Sequence, residues 1–334
     1  MSLKNKLSEH KRKFAFQLST IDQLIPVSIL GVMTGLLTGA IIIVFRQCIE
    51  RGQDWLLPGE GGENYAGLPL WARFLLPTLG GLLIGLLLQN ISAATRRVGV
   101  IHVINALADA HSHLPFRNAV VQFFSATISI ISGHSVGREG PGIHLGAACG
   151  SWLGHSLLLP HNTLRTLVAC GVAASIAASF NTPLAGVIFS MEVVLVEYTV
   201  LGFIPVVVAA VVATAVMRWV YGSDPIFAIP SVLHNSGFDL IYLFFCGLVM
   251  GVFAAVFIAL LRFFSQQLLN IALWQRTTLA GVLTGCIGLF VPQVMGIGYE
   301  SVNAAVLGDI GLGLLLVIVV AKIFATTAGL GLGL

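Results

Sequence analysis

The sequence predicts an all-α membrane protein with many spanning helices, and three observations support that class. Hydrophobic residues make up 57% of the 334-residue chain and charged residues only 9%, whereas a soluble domain carries about 25% charged residues. Long apolar runs recur, close to the length of about 20 residues that a spanning helix needs. Barrel strands alternate polar and apolar residues and these runs do not, which favours helices over a barrel. The runs cover residues 24–45, 69–91, 119–133, 166–191, 199–217, 239–261, 277–292 and 310–321.

The segment ahead of the first run, residues 1–20, is predicted to be a cytoplasmic or interfacial lead-in. It holds a basic cluster, which favours a cytoplasmic N-terminus because positive residues stay on that side of the membrane. Glu9 lies within this cluster, and the following run is long enough to span and has no small-residue cleavage site, which argues against a signal peptide. The cluster consists of Lys4, Lys6, Lys11, Arg12 and Lys13.

Similar residues recur in the same order in two parts of the chain. This order predicts a duplicated transporter architecture, with a first transmembrane repeat over residues 21–222 and a partial second repeat over residues 223–334. The second copy stops at Leu334, where its own loop should begin, so we expect the chain to be a fragment. The matches are Gly31, Gly35 and Arg46 with Gly247, Gly251 and Arg262, Gly81 and Gly85 with Gly281 and Gly285, Asn105-Ala106 with Asn303-Ala304, and Gly133 and Gly137 with Gly329 and either Gly331 or Gly333.

Glycines interrupt the apolar sequence around residues 133–146 and 328–333, which predicts broken helices there. Broken membrane helices are expected where a binding site lies inside the bilayer. The first interruption contains Arg138 and Glu139, the only charged residues between Arg117 and Arg165. Ionisable side chains at membrane depth mark functional sites by default. The alternative is a water-exposed loop, but the flanking residues are glycines and supply no run of polar side chains.

Gly140-Pro141, directly after this pair, is typical of a helix start. Unused N–H groups and the positive end of the dipole make a helix N-terminus at this depth a site for a small anion. The Glu139 carboxylate can occupy the same place, so it competes with the anion, and its protonation opens the path. Arg138 either raises the anion concentration at the mouth of the path or fixes the loop, and both roles stay open.

The segment GREGPGIHLGAACG, residues 137–150, resembles the G-[KR]-E-G-P segment of the CLC chloride channel and transporter family. Residues 170–194 are similar to the small-residue segment of that family, which leads through F-N-x-P-L-A-G to an acidic position. The resemblance implies a homodimer with one pore per subunit for chloride or another small anion. A bacterial inner membrane is the predicted location. Each subunit would consist of two inverted halves with broken helices, the second half incomplete here. Glu139 would be the external gating glutamate, and N–H groups near Glu139 and Gly140 would line the outer anion position.

The sequence departs from the family pattern at three places. Residues 97–107 occupy the place of the anion-binding G-S-G-I-P segment, so the resemblance assigns anion binding to Val98, Gly99 and Val100. Val98 donates no hydrogen bond where a serine hydroxyl is expected, which leaves selectivity among anions open. The later Gly-x-Phe-x-Pro segment and the anion-coordinating tyrosine are expected after Leu334.

The third departure concerns protons. The internal acid of proton-coupled members falls on Val193, which is a channel-like pattern. A proton route through Glu192 or Glu197 stays open, and a structural role for Glu192 is the alternative.

The function predicted from these residues is passive, channel-like chloride conduction gated by Glu139, without enzymatic activity. Proton-coupled chloride antiport is the first alternative. An intramembrane serine hydrolase would use Ser135 of GHSVG, with His134, His144 or His155 as base, but that motif follows a strand and the sequence predicts none. A structural or receptor membrane protein is a further class, for which Glu139→Gln would be silent.

No cofactor, metal or nucleic-acid partner is expected. The five cysteines are scattered singly, without the spacing of a zinc site or a disulfide framework. His111 and His113 form an H-S-H pattern in a polar loop, where two imidazoles can hold a metal. Solvated loop histidines are the preferred interpretation, and neither residue is assigned a role.

Overall fold

The computed structural model describes residues 24–59, 63–109, 112–196, 199–223, 227, 237–267 and 270–334. This part of the chain forms α-helices and a few short turns of other helical types, and it contains no β-strand. The all-α prediction is confirmed. The predicted lead-in, His111 and Glu197 lie outside the described residues. The α-helices are α1 (Leu24–Leu56), α2 (Leu70–Gln89), α3 (Gly99–Asp109), α4 (Phe116–Ile131), α5 (Glu139–Ser156), α6 (His161–Phe180), α7 (Pro183–Phe189), α8 (Val200–Tyr221), α9 (Gly237–Gln267), α10 (Leu273–Phe290), α11 (Tyr299–Leu307) and α12 (Leu312–Leu332).

Among the described helices, six are long and apolar enough to cross a membrane by length and composition. They are α1, α2, α6, α8 over Gly202–Tyr221, α9 over Asp239–Gln266, and α12. The helices α3, α4 and α7 are apolar but shorter, which fits the predicted broken helices. The chain is therefore a membrane protein.

The chain divides into two compact units, each built from separate stretches of sequence. The first unit lies almost wholly within the first predicted repeat, whereas the second combines segments of both repeats. The first consists of Met1–Cys48, Ser92–Phe124 and Arg138–Ile226, and the second of Ile49–Ile91, Ser125–Gly137 and Phe227–Leu334.

In the first unit, α6 packs against α5, α7 and α8. Leu167, Ala169 and Ala173 on α6 are fully buried. Small residues let membrane helices approach to backbone contact, and a Cβ atom added at Gly146 on α5 would overlap the carbonyl oxygen of Gly171 on α6. The crossing of α5 and α6 therefore requires glycine on both helices.

Glycines on α1 allow a similar close approach to α8. A Cβ at Gly31 would lie 2.7 Å from the carbonyl oxygen of Pro205, and one at Gly35 would lie 2.5 Å from that of Ala209. The matching glycines on α9, Gly247 and Gly251, have no atom within 4 Å of such a Cβ. The sequence match between these helices therefore does not extend to their packing.

The apolar run 166–191 is two helices rather than one. α6 ends just before Asn181, whose φ of +57° is left-handed, and Pro183 begins α7. Asparagine is one of the few residues that tolerate this conformation, and proline disfavours helical backbone in the residue before it. The Asn181 side-chain oxygen accepts a 2.6 Å hydrogen bond from Arg218 Nε on α8, which fixes the break.

In the second unit, α2 and α10 pack closely at glycines that the predicted repeat matches with one another. A Cβ at Gly285 would lie 2.8 Å from the carbonyl oxygen of Phe74, and one at Gly281 would overlap the backbone of Pro77. Corresponding helices of the two predicted repeats thus pack against each other. The helix α12 packs on α9 and α10 in the same unit.

The predicted helix break at residues 328–333 is wrong, because α12 continues to Leu332. Gly329 and Gly331 are buried, and a Cβ at Gly331 would lie 2.6 Å from Phe264 Cβ on α9. These glycines serve packing rather than interruption, and the helix ends only at Gly333, which has a φ of +106°.

Candidate anion site

The interruption around Glu139 forms the helix start that the sequence predicts. α4 ends at Ile131 and α5 begins at Glu139. Arg138 is the N-cap residue and is buried, whereas Glu139 is partly exposed. The Gly142 N–H already donates to the Arg138 carbonyl at 2.9 Å, and Pro141 has no N–H.

The N–H groups of Glu139 and Gly140 are therefore the donors that α5 does not satisfy within itself. A Cβ added at Gly140 would meet no atom within 4 Å, so there is open space beside these donors. This end of α5 has the chemistry of an anion site, with a carboxylate on its first residue.

The other predicted anion-binding segment begins α3. Gly99 is its first residue and has a φ of +79°, a conformation that glycine adopts without steric cost. Asn118 on α4 fixes the preceding turn, because its Nδ2 donates to the Arg97 carbonyl at 2.8 Å. Val98 is partly exposed at this turn and offers no side-chain donor, so the start of α3 presents backbone N–H groups from Gly99 and Val100.

A pair of histidines joins α3 to α5. His102 Nδ1 and His144 Nε2 are 3.0 Å apart, a hydrogen-bonding distance. The pair ties together the two helices whose N-termini are predicted to bind the anion, and both lie in the first unit. From the sequence, His144 is predicted only as a possible hydrolase base and His102 has no predicted role, because 42 positions separate the two residues and only packing brings them together.

Glu192, the predicted proton-path residue, lies on a π-helical turn, Ser190–Leu195, that packs against α3 and α6. Ser190 Oγ holds this turn by donating a 2.7 Å hydrogen bond to the Ala169 carbonyl on α6. Glu192 and Val193 are both exposed on this unit. Of the two residues considered for a proton path, Glu192 and Glu197, only Glu192 is described, and it lies on a turn that packs against α3 and α6.

The GHSVG motif, considered above as a hydrolase elbow, forms an irregular turn in the second unit. Ser135 Oγ lies 2.9 Å from Thr326 Oγ1, whereas His134 Nδ1 lies 2.9 Å from Ser132 Oγ. The serine is thus bonded to a threonine and not to the neighbouring histidine, which is not the arrangement of a nucleophile and its base. Gly133 has a φ of +83° and packs against the ring of Tyr65. Both features explain why this position is a glycine.

Within the ranges that the structure describes, the remaining histidines and the cysteines form no metal centre. No group of three or more His, Cys, Asp or Glu side chains is arranged as metal ligands in the described part of the chain. The His113 ring packs edge to face on His155, with ring centroids 4.9 Å apart.

At a second helix N-terminus, backbone N–H groups bind a carboxylate. Glu63, in the loop between α1 and α2, accepts hydrogen bonds from the N–H groups of Ile297 (3.1 Å), Gly298 (2.8 Å) and Tyr299 (3.1 Å). Tyr299 begins α11, and the positive charge of Lys322 on α12 acts on the same carboxylate. This is the interaction between carboxylate and helix start that the sequence predicts for Glu139 and α5.

Stability is expected to depend on pH through Glu63. Burial raises the pKa of Glu63 above its ordinary value, and the N–H groups and Lys322 oppose this only in part. The folded state then binds the proton more tightly than the unfolded state. The stabilising contribution of the proton is therefore full below the unfolded pKa of 4.5 and is lost as pH rises through the folded pKa.

We expect Glu63→Gln to remove this contribution to the slope of the free energy of unfolding against pH. For one proton that slope is at most about 1.4 kcal/mol per pH unit. The measurement is the free energy of unfolding of detergent-solubilised protein from about pH 4 to about pH 7. Glu300→Gln is the matched control, because it removes another carboxylate from the lining of the same cavity of about 240 Å³ and should keep the slope. An unaltered slope in Glu63→Gln would contradict the prediction.

Comparison with known proteins adds independent information. Residues 80–334 match the family model described as voltage gated chloride channel. A ClcB-like chloride channel protein of Ralstonia nicotianae is 35% identical over 301 residues, which cover 87% of this chain and 70% of the relative. The H(+)/Cl(-) exchange transporter ClcA of Vibrio cholerae is 28% identical over 321 residues, which cover 92% of this chain and 68% of that protein.

A solved structure shares the fold. The structure of a slow cyanobacterial Cl-/H+ antiporter superimposes with a TM-score of 0.77 and 22% identity, covering 92% of this chain and 74% of its own. At this identity the likeness concerns the fold alone. The matched family region includes Glu139 and the helix it begins, so the resemblance drawn from the GREGP segment is confirmed. The chain belongs to the voltage gated chloride channel family, the CLC proteins.

Proposed function

We propose that this chain is a proton-coupled chloride antiporter gated by Glu139. The observation that carries the proposal is the position of Glu139 as the first residue of α5, beside N–H donors that the helix does not satisfy itself. Chloride and an ionised carboxylate compete for such donors. Protonation removes the charge of the carboxylate, so chloride binding becomes coupled to proton binding at one place in the chain.

Chloride transport follows from membership of the family, and the open question is its mode. The sequence alone favours passive conduction, because Val193 stands where proton-coupled members carry an acid. One relative is named a chloride channel, another is named an exchange transporter, and the fold neighbour is an antiporter. The exchange alternative is therefore better supported than channel-like conduction.

The anion is proposed to contact backbone N–H groups at the starts of two helices. At α5 these are the groups of Glu139 and Gly140, with Arg138 supplying positive charge beside them. At α3 they are the groups of Gly99 and Val100, next to Val98. Because Val98 donates no hydrogen bond, we expect weaker discrimination among small anions than a serine hydroxyl would provide.

The assembly and location are also proposals. The family resemblance supports a homodimer with one pore in each subunit, in a bacterial inner membrane. The basic cluster ahead of α1 supports a cytoplasmic N-terminus.

The test is simultaneous measurement of chloride efflux and proton movement in liposomes that contain the protein. An outward chloride gradient should drive protons inward against an opposing proton gradient, in a fixed ratio to chloride. Chloride efflux without this movement would support passive conduction instead. No anion flux above protein-free liposomes would contradict anion transport.

A further inference from the structure

The hydrogen-bonded pair His102 and His144 lies where the two proposed anion-binding helices meet. His102 is in the first turn of α3 and His144 is in the second turn of α5. The two nitrogens are 3.0 Å apart, and the ring centroids are 5.2 Å apart. Two imidazoles at this distance share one bridging hydrogen atom.

The two ends of the pair have different surroundings. His144 is fully buried, and its Nδ1 has no hydrogen-bond partner among the described residues. His102 is partly exposed. Because buried polar atoms are almost always hydrogen-bonded to protein or water, the unsatisfied Nδ1 of His144 points to a partner that is not a protein group. Water that exchanges protons is the simplest such partner in a transport protein.

We propose that His102 and His144 together bind the proton that is exchanged for chloride. This inference rests on the proposed proton-coupled exchange. It addresses the absence of an acid at Val193, because a histidine pair can bind and release a proton.

The proton count is simple. The neutral pair holds two ring protons, one bridging Nδ1 of His102 and Nε2 of His144 and the other on an outer nitrogen. Binding adds a third proton, so that His102 Nε2 and His144 Nδ1 both carry N–H, and the pair gains one positive charge. Release returns one outer proton to water, and no bond other than N–H forms or breaks.

This charge lies on the two helices that would bind chloride, which couples the two events through electrostatics. The loaded pair attracts an anion or the Glu139 carboxylate, and the neutral pair attracts neither. Burial of His102 opposes the loading, and so does the positive charge of Arg97 just before α3. The helix α6 presents uncharged Gly171 and Ser175 to α5. Besides the pair, the ionisable residues of α3 and α5 and of the segments next to them are Arg97, Asp109, Arg138, Glu139, Cys149, His155, His161, Arg165, Cys170 and Glu192.

The experiment compares His144→Gln and His102→Gln with wild type in the liposome assay for both ions. Glutamine keeps hydrogen-bonding capacity but does not titrate, so a merely structural role would be preserved. His155→Gln is the matched control, because His155 lies on the same helix and contacts another histidine, His113. We expect each pair variant to keep chloride flux and to lose proton movement by about 100-fold, the lower end of what a positioned proton-transfer group contributes.

The possible outcomes separate the proposed exchange from the role of the histidine pair. Wild type that moves chloride but no protons would overturn the proposed exchange and this inference with it. Wild type that exchanges protons while both pair variants exchange equally well would overturn the pair alone. If His144→Gln does not fold, which absent chloride flux would indicate, His102→Gln still tests the proposal, because His102 is partly exposed. Proton loss in His155→Gln of the same size would also contradict the assignment to this pair.

Discussion

Replacing Glu139 with glutamine should stop proton movement and leave a chloride flux that depends less on pH. The amide has nearly the shape of the carboxyl group but cannot ionise. It therefore neither carries a proton nor competes as a charge for the N–H donors at the start of α5. We expect proton flux to fall by about 100-fold or more, because the variant lacks a positioned proton-transfer group.

The measurement is chloride efflux and proton movement in liposomes at several pH values. Glu300→Gln is the matched control for this variant, because it neutralises an exposed carboxylate in the first turn of another helix, α11. An unaltered pH dependence of chloride flux in Glu139→Gln would show that another group gates the path. An unaltered proton-to-chloride ratio would contradict the assignment of Glu139 altogether.

Gly146→Ala should strongly destabilise the first unit. The new Cβ would overlap the carbonyl oxygen of Gly171, a backbone atom that cannot move without separating α5 from α6. Overpacking of a rigid core costs about 1–3 kcal/mol and occasionally more, and the upper end applies because both clashing groups are fixed to helices.

A thermal unfolding curve in detergent would measure this effect as a large decrease in Tm. Gly247→Ala is the matched control, because it adds the same methyl group to a membrane helix with no atom within 4 Å. Equal stability of the two variants would mean that α5 and α6 can separate without cost, contrary to the packing argument.

The sequence was most informative where local chemistry decides the structure. Long apolar runs can form only helices in lipid, so the all-α class followed directly. Gly140-Pro141 marks a helix start by local rules, and α5 indeed begins at Glu139. The break predicted from the glycines around residues 328–333 is wrong because glycine also serves close helix packing, and sequence spacing does not distinguish these two uses.

Features that depend on distant contacts could not be predicted. The pairing of His102 with His144 and the contact of Glu63 with the start of α11 each join residues far apart in the chain. The break at Asn181 was missed for a different reason. The small and apolar residues on both sides form one continuous run, and only the asparagine before Thr182-Pro183 signals the left-handed turn.

The dependence of α5 on α6 also constrains how the protein is made. α5 is not among the helices apolar enough to cross on their own, yet most of its residues are buried and its glycines fit against the α6 backbone. Insertion machinery selects segments by their apolarity, so α5 should not partition into lipid by itself. It would enter as a hairpin with α6, which begins only a few residues later. A substitution that makes α6 more polar would therefore leave α5 outside the bilayer during synthesis. Such a variant would fail at membrane insertion, before it could transport ions.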